Sequence, residues 1–311
     1  ALQMYKSIQR FNALPDYIQV WPGHGAGSAC GKALGAVPSS TVGYEKIRNW
    51  AFQYNDNQEG FVKYLLADQP EPPKYFAMMK HLNKVERPLL VEVPKHSQLS
   101  TDAFKKAYTD GLKVIDTRNK VDFAKGFIPN AINIGLEGQF ASWVGTLITD
   151  LQQPILLITE EGNEEEAVLR LSRVGYDNCI GYLKGGFEAW AAEGREVDTV
   201  ATISVEDFVD KFSKDNTLKA MDVRRKSEYD SEHVIGIENA PLDFLNNYMA
   251  SIDRDATTYV HCAGGYRSMI AISILKARGF ENLVDVTGGF SAIKATNKLK
   301  LTDYVCPSTL L

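Results

Sequence analysis

Apolar positions in this chain fall into short blocks of strand length, separated by longer stretches with helical spacing. Ile155-Leu156-Leu157-Ile158 and Thr258-Tyr259-Val260-His261 are the clearest of the short runs. Stretches such as Ala103–Tyr108 and Val205–Phe212 bring an apolar side chain round every third or fourth position, the signature of an amphipathic helix. The blocks also repeat. Leu99-Ser100-Thr101-Asp102-Ala103-Phe104 returns as Ile203-Ser204-Val205-Glu206-Asp207-Phe208, an offset of 104 residues. Val114-Ile115-Asp116-Thr117-Arg118 returns as Ala220-Met221-Asp222-Val223-Arg224, and Asn130-Ala131 as Asn239-Ala240. Gly175-Tyr176-Asp177-Asn178 and Gly185-Gly186-Phe187 return as Gly279-Phe280-Glu281-Asn282 and Gly288-Gly289-Phe290. Matches in one order at this long a period mark a duplicated domain, not a solenoid.

Each copy predicts the same elements. Ser100 or Ser204 caps a first helix. A short strand ending in Asp-x-Arg follows. A second strand is predicted over Pro154–Thr159 in one copy and Thr258–His261 in the other. A helix, a further strand, Gly-Gly-Phe and a last helix complete the copy. Strands alternating with helices imply α/β architecture, with parallel sheets covered on both faces.

Residues 1–95 lie outside the repeat. They predict a helix over Tyr5–Phe11, a strand over Tyr17–Trp21, a glycine-rich turn, and helices near Tyr44–Asn49 and Gly60–Leu66. Gln69-Pro70-Glu71-Pro72-Pro73 is a stiff connector, and a second lies between Arg87-Pro88 and Pro94. One strand and a few helices are too little for a complete core, so this section reads as the tail end of something larger. The predicted division is 1–95, 96–199 and 200–311.

Composition narrows the class without changing this picture. The 311 residues are 44% hydrophobic and 23% charged, as in ordinary globular chains. A net charge of −5 with no basic run argues against a nucleic-acid partner. No apolar run approaches the about 20 residues that span a bilayer, so no membrane partner is expected. No signal peptide opens the chain, and four cysteines are too few for a disulfide framework. The expectation is a reduced, cytoplasmic protein that acts on small molecules and can form homo-oligomers.

The strongest chemical signal is Val260-His261-Cys262-Ala263-Gly264-Gly265-Tyr266-Arg267-Ser268, between a strand and a helix. The two glycines allow tight turns, so the N–H groups of residues 263–268 can converge as an anion nest. The start of the next helix adds its positive end. Cys262 at the strand exit is favoured there as a thiolate nucleophile, and Arg267 can offer a forked contact to an oxyanion. Asp222 and Arg224 end a strand on the loop side and are read as support residues that brace the loop. Strand alternation turns His261 to the other face, and His233 is read as structural.

Asp222-x-Arg224, the Cys262 loop and Gly288-Gly289-Phe290 resemble a rhodanese domain. The resemblance implies an α/β fold with a parallel sheet and a sulfurtransferase chemistry needing no cofactor. Cys262 would take a sulfane sulfur from thiosulfate or a persulfide, become a persulfide, and pass the sulfur to sulfite, cyanide or a thiol. Ala263, Gly264, Gly265, Tyr266, Ser268 and Arg267 would hold the anionic part of the donor. A rhodanese-like phosphatase also cradles an anion between Cys and Arg, but typically with one more loop residue. The span from Cys262 to Arg267 is six residues, the sulfurtransferase length.

The first copy places Thr159 at the Cys262 position and Glu164 at the Arg267 position, in a loop with five glutamates. It reads as a catalytically silent copy kept as scaffold or docking surface. Cys179 reads as a core thiol, and Cys306 as a minor packing residue.

In the front section, Leu14-Pro15-Asp16, Trp21-Pro22-Gly23-His24-Gly25 and Pro72-Pro73-Lys74-Tyr75-Phe76 resemble the C-terminal part of a metallo-β-lactamase fold. Over the whole chain the resemblance is to persulfide dioxygenases fused to rhodanese domains. It implies iron, or zinc, in a complete front domain, with oxidation of a low-molecular-weight persulfide to sulfite. The signature His-x-His-x-Asp-His is absent, and none of the five histidines are paired. The natural chain is therefore expected to extend before Ala1, with His24 beside or in the metal site; Cys30 reads as a buried thiol, with a place in the lining of the substrate pocket as the alternative. A metal-dependent thioester hydrolase with rhodanese carrier domains is the alternative reading of the same fold. A non-enzymatic alternative makes Cys262 a carrier that holds a persulfide for a partner.

Overall fold

The computed structural model describes residues 1–23, 39–67, 75–86, 96–215 and 217–305. His24, Cys30 and Cys306 lie outside the described residues. The chain divides into two compact units, Ala1–Pro73 and Lys74–Leu310. Among the described residues, no helix is long and apolar enough to cross a membrane.

The first unit holds α1 (Leu2–Asn12), β1 (Gln19–Val20), β2 (Ser40–Thr41), α2 (Val42–Arg48), a 3-10 turn over Trp50–Tyr54 and α3 (Gln58–Leu66). Thr41 and Asn57 cap α2 and α3 through side-chain oxygens that accept N–H groups of the first turn. The strand expected over Tyr17–Trp21 is only two residues long, because its antiparallel partner β2 is itself two residues. A small core of Val42, Ala51, Phe52 and Phe61 is supplemented by Trp50, whose ring stacks on Phe61.

The second unit opens with α4 (Phe76–Leu82) and continues as two copies of one βα pattern. The first copy contains β3 (Ser97–Leu99), α5 (Thr101–Thr109), β4 (Lys113–Asp116), α6 (Lys120–Lys125) and β5 (Ile132–Asn133). It ends with α7 (Phe140–Leu147), β6 (Ile155–Ile158), α8 (Glu164–Ser172), β7 (Cys179–Leu183) and α9 (Gly186–Ala192). The second contains β8 (Ala201–Ile203), α10 (Val205–Lys214), β9 (Lys219–Asp222), α11 (Lys226–Ser231) and β10 (Glu238–Asn239). After α12 (Leu245–Tyr248) come β11 (Thr258–His261), α13 (Tyr266–Lys276), β12 (Leu283–Val286) and α14 (Gly289–Ala295).

The five-stranded sheets have orders β3-β7-β6-β4-β5 and β8-β12-β11-β9-β10, so equivalent strands occupy equivalent places. Every pairing in them is parallel. Ser100 and Ser204 cap α5 and α10 as the sequence predicts, accepting from Ala103 N–H and Asp207 N–H. β6 is buried at all four positions, which is why it reads as a continuous apolar run.

The helix after the cysteine loop sets the relation between the copies. Seven consecutive residues of α13, Met269 to Leu275, are buried. A helical stretch buried round its whole circumference, and apolar there except for Ser273, must be covered on all sides. Its neighbours are β11 and β12 of its own copy and β5 of the other. One apolar cluster consequently runs from Phe104 of the first copy through Ile270 and Ile272 to Leu283 of the second. A backbone bond adds a polar tie, Asn133 N–H donating to Ser273 Oγ at 3.1 Å.

Candidate functional site: a buried cysteine between the two copies

β11 ends at His261, so Cys262 stands at the carboxyl end of a central parallel strand, where open α/β sheets form their clefts. The loop then turns at Gly265, with φ at +98°, into α13. Gly265 N–H donates to Cys262 Sγ at 3.1 Å. The sulfur lies on a cavity of about 350 Å³ lined by Cys262, Ala263, Gly264, Tyr266 and Arg267. Arg225 and Glu228 of the same copy and Gln139 and Trp143 of the first copy complete the wall.

Cys262 is held from behind by the Gly-Gly-Phe turn. Phe290 N–H donates to Cys262 C=O at 2.7 Å, and Ser291 N–H to Ala263 C=O at 3.1 Å. A Cβ on Gly289 would stand 2.4 Å from the Cys262 carbonyl oxygen, so only glycine permits this approach. Arg224 lies over the Phe290 ring at 3.8 Å and forks onto the buried Asp222 carboxylate, with Nη2 to Oδ2 at 2.6 Å. The side chains of Asp222 and Arg224, expected to brace the loop by hydrogen bonds, bond each other and Glu232 C=O instead, and bear on the loop through the Phe290 ring. The first copy repeats the device: Arg118 forks onto Asp116 and covers Phe187.

Arg267 does not point freely into the cavity. Its guanidinium forks onto Glu228, with bonds of 2.5 and 2.8 Å. Burial works against ionisation of Glu228, yet the bonds and charge of Arg267 outweigh it and hold the carboxyl below its usual range. Burial likewise opposes the Arg267 charge, and Glu228 reverses that and raises its pKa. Sequence reasoning missed Glu228, Arg225, Gln139 and Trp143. Glu228 stands where Asp122 stands in the repeat, but Asp122 bonds Asn119 and Lys125 instead.

Two residues expected to hold the donor are placed otherwise. Ser268 is fully buried and donates its hydroxyl to Asp285 Oδ1 at 2.6 Å, away from the cavity wall. Burial beneath α13 pushes the Asp285 carboxyl up to about 6, against the Ser268 bond. Tyr266 lines the cavity, but its hydroxyl donates to Gly135 C=O of the first copy at 2.7 Å, and burial raises its pKa. His261 is buried with Nδ1 4.0 Å from Asp222, and burial lowers its pKa. His233 bonds Tyr229 C=O and stacks on that ring. Cys179 is a core thiol raised to about 12 by burial.

The equivalent loop of the first copy has a similar backbone with different occupancy. Gly162 has φ at +92°, close to Gly265, and Thr159 is buried at the Cys262 position. Here Gly162 N–H, the counterpart of the N–H on the sulfur, donates to the Glu164 carboxylate at 2.9 Å. The chain's own anion fills the nest. Thr159→Cys alone is therefore expected to give no sulfur uptake, since Glu164 keeps the donor and its charge disfavours a thiolate. Persulfide trapped on residue 159 at a rate near that of Cys262 would contradict this.

Among the described residues, no group of three or more His, Cys, Asp or Glu side chains could hold a metal ion. The iron or zinc that the front-section resemblance implies thus has no fitting ligand set in the residues described, and His24 is outside them.

The chain is similar to several known proteins. Adenylyltransferase and sulfurtransferase uba4 of Ogataea parapolymorpha is 35% identical over 85 residues, 27% of this chain and 22% of that protein. Thiosulfate sulfurtransferase GlpE of Pseudomonas entomophila is 29% identical over 76 residues, 24% of this chain and 70% of that protein. A solved metallo-beta-lactamase of Staphylococcus aureus subsp. aureus COL is 39% identical, covers 58% of this chain and 49% of its own, and aligns with a TM-score of 0.49. The chain spans less than half the length of the first curated relatives it matches. The rhodanese-like domain matches residues 100–193 and 204–296, more than half of the chain, and the protein belongs to that family, with the Cys262 cavity in its second copy.

Proposed function

We propose that the chain is a sulfurtransferase that moves sulfane sulfur between thiosulfate or sulfite and small persulfides through a persulfide on Cys262. The observation that carries this reading is Cys262 Sγ accepting the Gly265 N–H on a cavity flanked by Arg225 and Arg267. The Cys262 thiolate attacks the outer sulfur of the donor. A new S–S bond forms at Cys262, the donor's own S–S bond breaks, and sulfite or a thiolate leaves with the electron pair. The bound persulfide ends as an anion where the N–H already points. A second thiophile then attacks the outer sulfur, and the Cys262 thiolate is regenerated. Arg267 can serve the donor's anionic group when Glu228 shares or releases its fork. The sulfurtransferase names carried by uba4 and GlpE support the same chemistry.

In this proposal residues 96–199 are an inactive rhodanese-like domain and residues 200–311 the active one. Residues 1–95 are the C-terminal part of a metallo-β-lactamase-like domain of a persulfide dioxygenase–rhodanese fusion in sulfide detoxification. Its iron chemistry would belong to residues other than those described, and sulfite from it would be a sulfur acceptor for Cys262.

Steady-state turnover tests the proposal. Thiosulfate with cyanide, and glutathione persulfide with sulfite, are expected to give thiocyanate and thiosulfate catalytically. Stoichiometric uptake without turnover would make Cys262 a carrier instead.

A further inference from the structure

We infer that Lys120 of the silent copy is a positioning residue for the Cys262 nucleophile, acting through one peptide unit of the loop. The inference takes the reactive thiol of the proposed function as its starting point and adds a residue from outside the active copy.

Lys120 opens α6, and its ammonium donates to the Gly264 carbonyl. That carbonyl belongs to the same peptide as Gly265 N–H, which donates to Cys262 Sγ at 3.1 Å. The chain has no cis peptide among its described residues, and in a planar trans peptide C=O and N–H point in opposite directions. A cation that holds the oxygen on one side thus holds the N–H toward the sulfur on the other. Bonds at the two ends of one peptide also polarise each other, so an ammonium on the oxygen makes the N–H a better donor to a thiolate or persulfide anion.

The surroundings are built for this contact. A Cβ at Gly265 would stand 2.5 Å from Lys120 Nζ, with Cε and Cδ at 3.3 and 3.4 Å. The missing side chain is thus the path of the lysine stem. Lys120 is fixed relative to the loop because the copies are tied on either side, by Tyr266 Oη on Gly135 C=O and by Asn133 N–H on Ser273 Oγ. The other charges about the loop are already engaged: Arg267 with Glu228, Arg225 with Asp243 at 3.7 Å, and Asp285 with Ser268. The charge of Lys120 also bears on Asp285 beneath α13. The first copy, without a nucleophile of its own, would then be retained because it completes the nucleophile of the second.

The test is alkylation of Cys262 by iodoacetamide across pH in the whole chain, followed by mass analysis of the Cys262 peptide. Lys120→Met is expected to slow the reaction about tenfold at neutral pH and to move the midpoint of its pH profile up by about one pH unit. Lys120→Arg is expected to restore most of the rate, and Lys120→Gln, a neutral donor, to fall between. Lys125→Met, on the same helix and exposed, is expected to match the unaltered chain. Near-UV circular dichroism establishes folding, and the Gln variant carries the test should the Met variant unfold. Coinciding profiles for Lys120→Met or Lys120→Gln and the unaltered chain would overturn the inference. Thiosulfate turnover measured in parallel separates the two claims. If no variant and not the unaltered chain turns over, the sulfurtransferase reading fails while the alkylation profiles still decide the role of Lys120.

Discussion

Cys262→Ser is expected to abolish sulfur transfer, with turnover falling at least about a thousandfold while the fold is kept. Serine differs from cysteine by one atom, and its hydroxyl can still accept the Gly265 N–H that now meets Sγ at 3.1 Å. The backbone bonds from Phe290 and Ser291 do not involve the side chain and remain. A serine oxygen, however, is almost wholly protonated at neutral pH and forms no persulfide. The loss is therefore expected in kcat with the melting temperature moved little. Thiocyanate release from thiosulfate and cyanide, measured beside a thermal melt, checks both halves. A serine variant that turned over normally would remove Cys262 from the chemistry.

Arg224→Met is expected to destabilise the second unit by about 3–5 kcal/mol, the usual cost of stripping one partner from a buried ion pair. Asp222 is 0% exposed and Arg224 4%. Without the guanidinium, the Asp222 carboxylate keeps the Arg224 backbone N–H and the His261 ring 4.0 Å away, and loses its forked partner. The Phe290 ring also loses the cation above it, and with it the wedge behind the Cys262 carbonyl. Arg118→Met in the first copy is expected to cost a similar amount, since Asp116 is equally buried. Adding Asp222→Asn to Arg224→Met is expected to recover part of the loss by removing the orphaned charge. Denaturant titration of the single and double variants gives the comparison. A change below about 1 kcal/mol in Arg224→Met would show that the pair is solvated in solution.

The repeat was readable because the βα pattern is written locally, in caps, short apolar runs and Asp-x-Arg. Ser100, Ser204 and the strand over Thr258–His261 act over a few residues, so sequence order alone places them. The cysteine loop was readable for the same reason, since the sulfur and its N–H donor are three residues apart. The walls of the cavity were not. Glu228 meets Arg267 from 39 residues away, and nothing local distinguishes it from its repeat counterpart Asp122. Gln139 and Trp143 belong to the copy that reads as silent, and become site residues only when the copies pack. One signal did exist. The run from Met269 to Leu275, apolar except for Ser273, cannot be one face of a surface helix, and so requires a partner surface on both sides. Ser268 shows the opposite error: its position in the loop motif suggested donor binding, while the helical turn carries its hydroxyl inward to Asp285.

The most direct measurement is the mass of the Cys262 peptide after brief exposure of the whole chain to thiosulfate or glutathione persulfide. One added sulfur atom, confined to that peptide, removable by cyanide and absent from the peptide that holds Thr159, is the predicted result. An unmodified Cys262 peptide under conditions in which the protein turns over either donor would contradict the account.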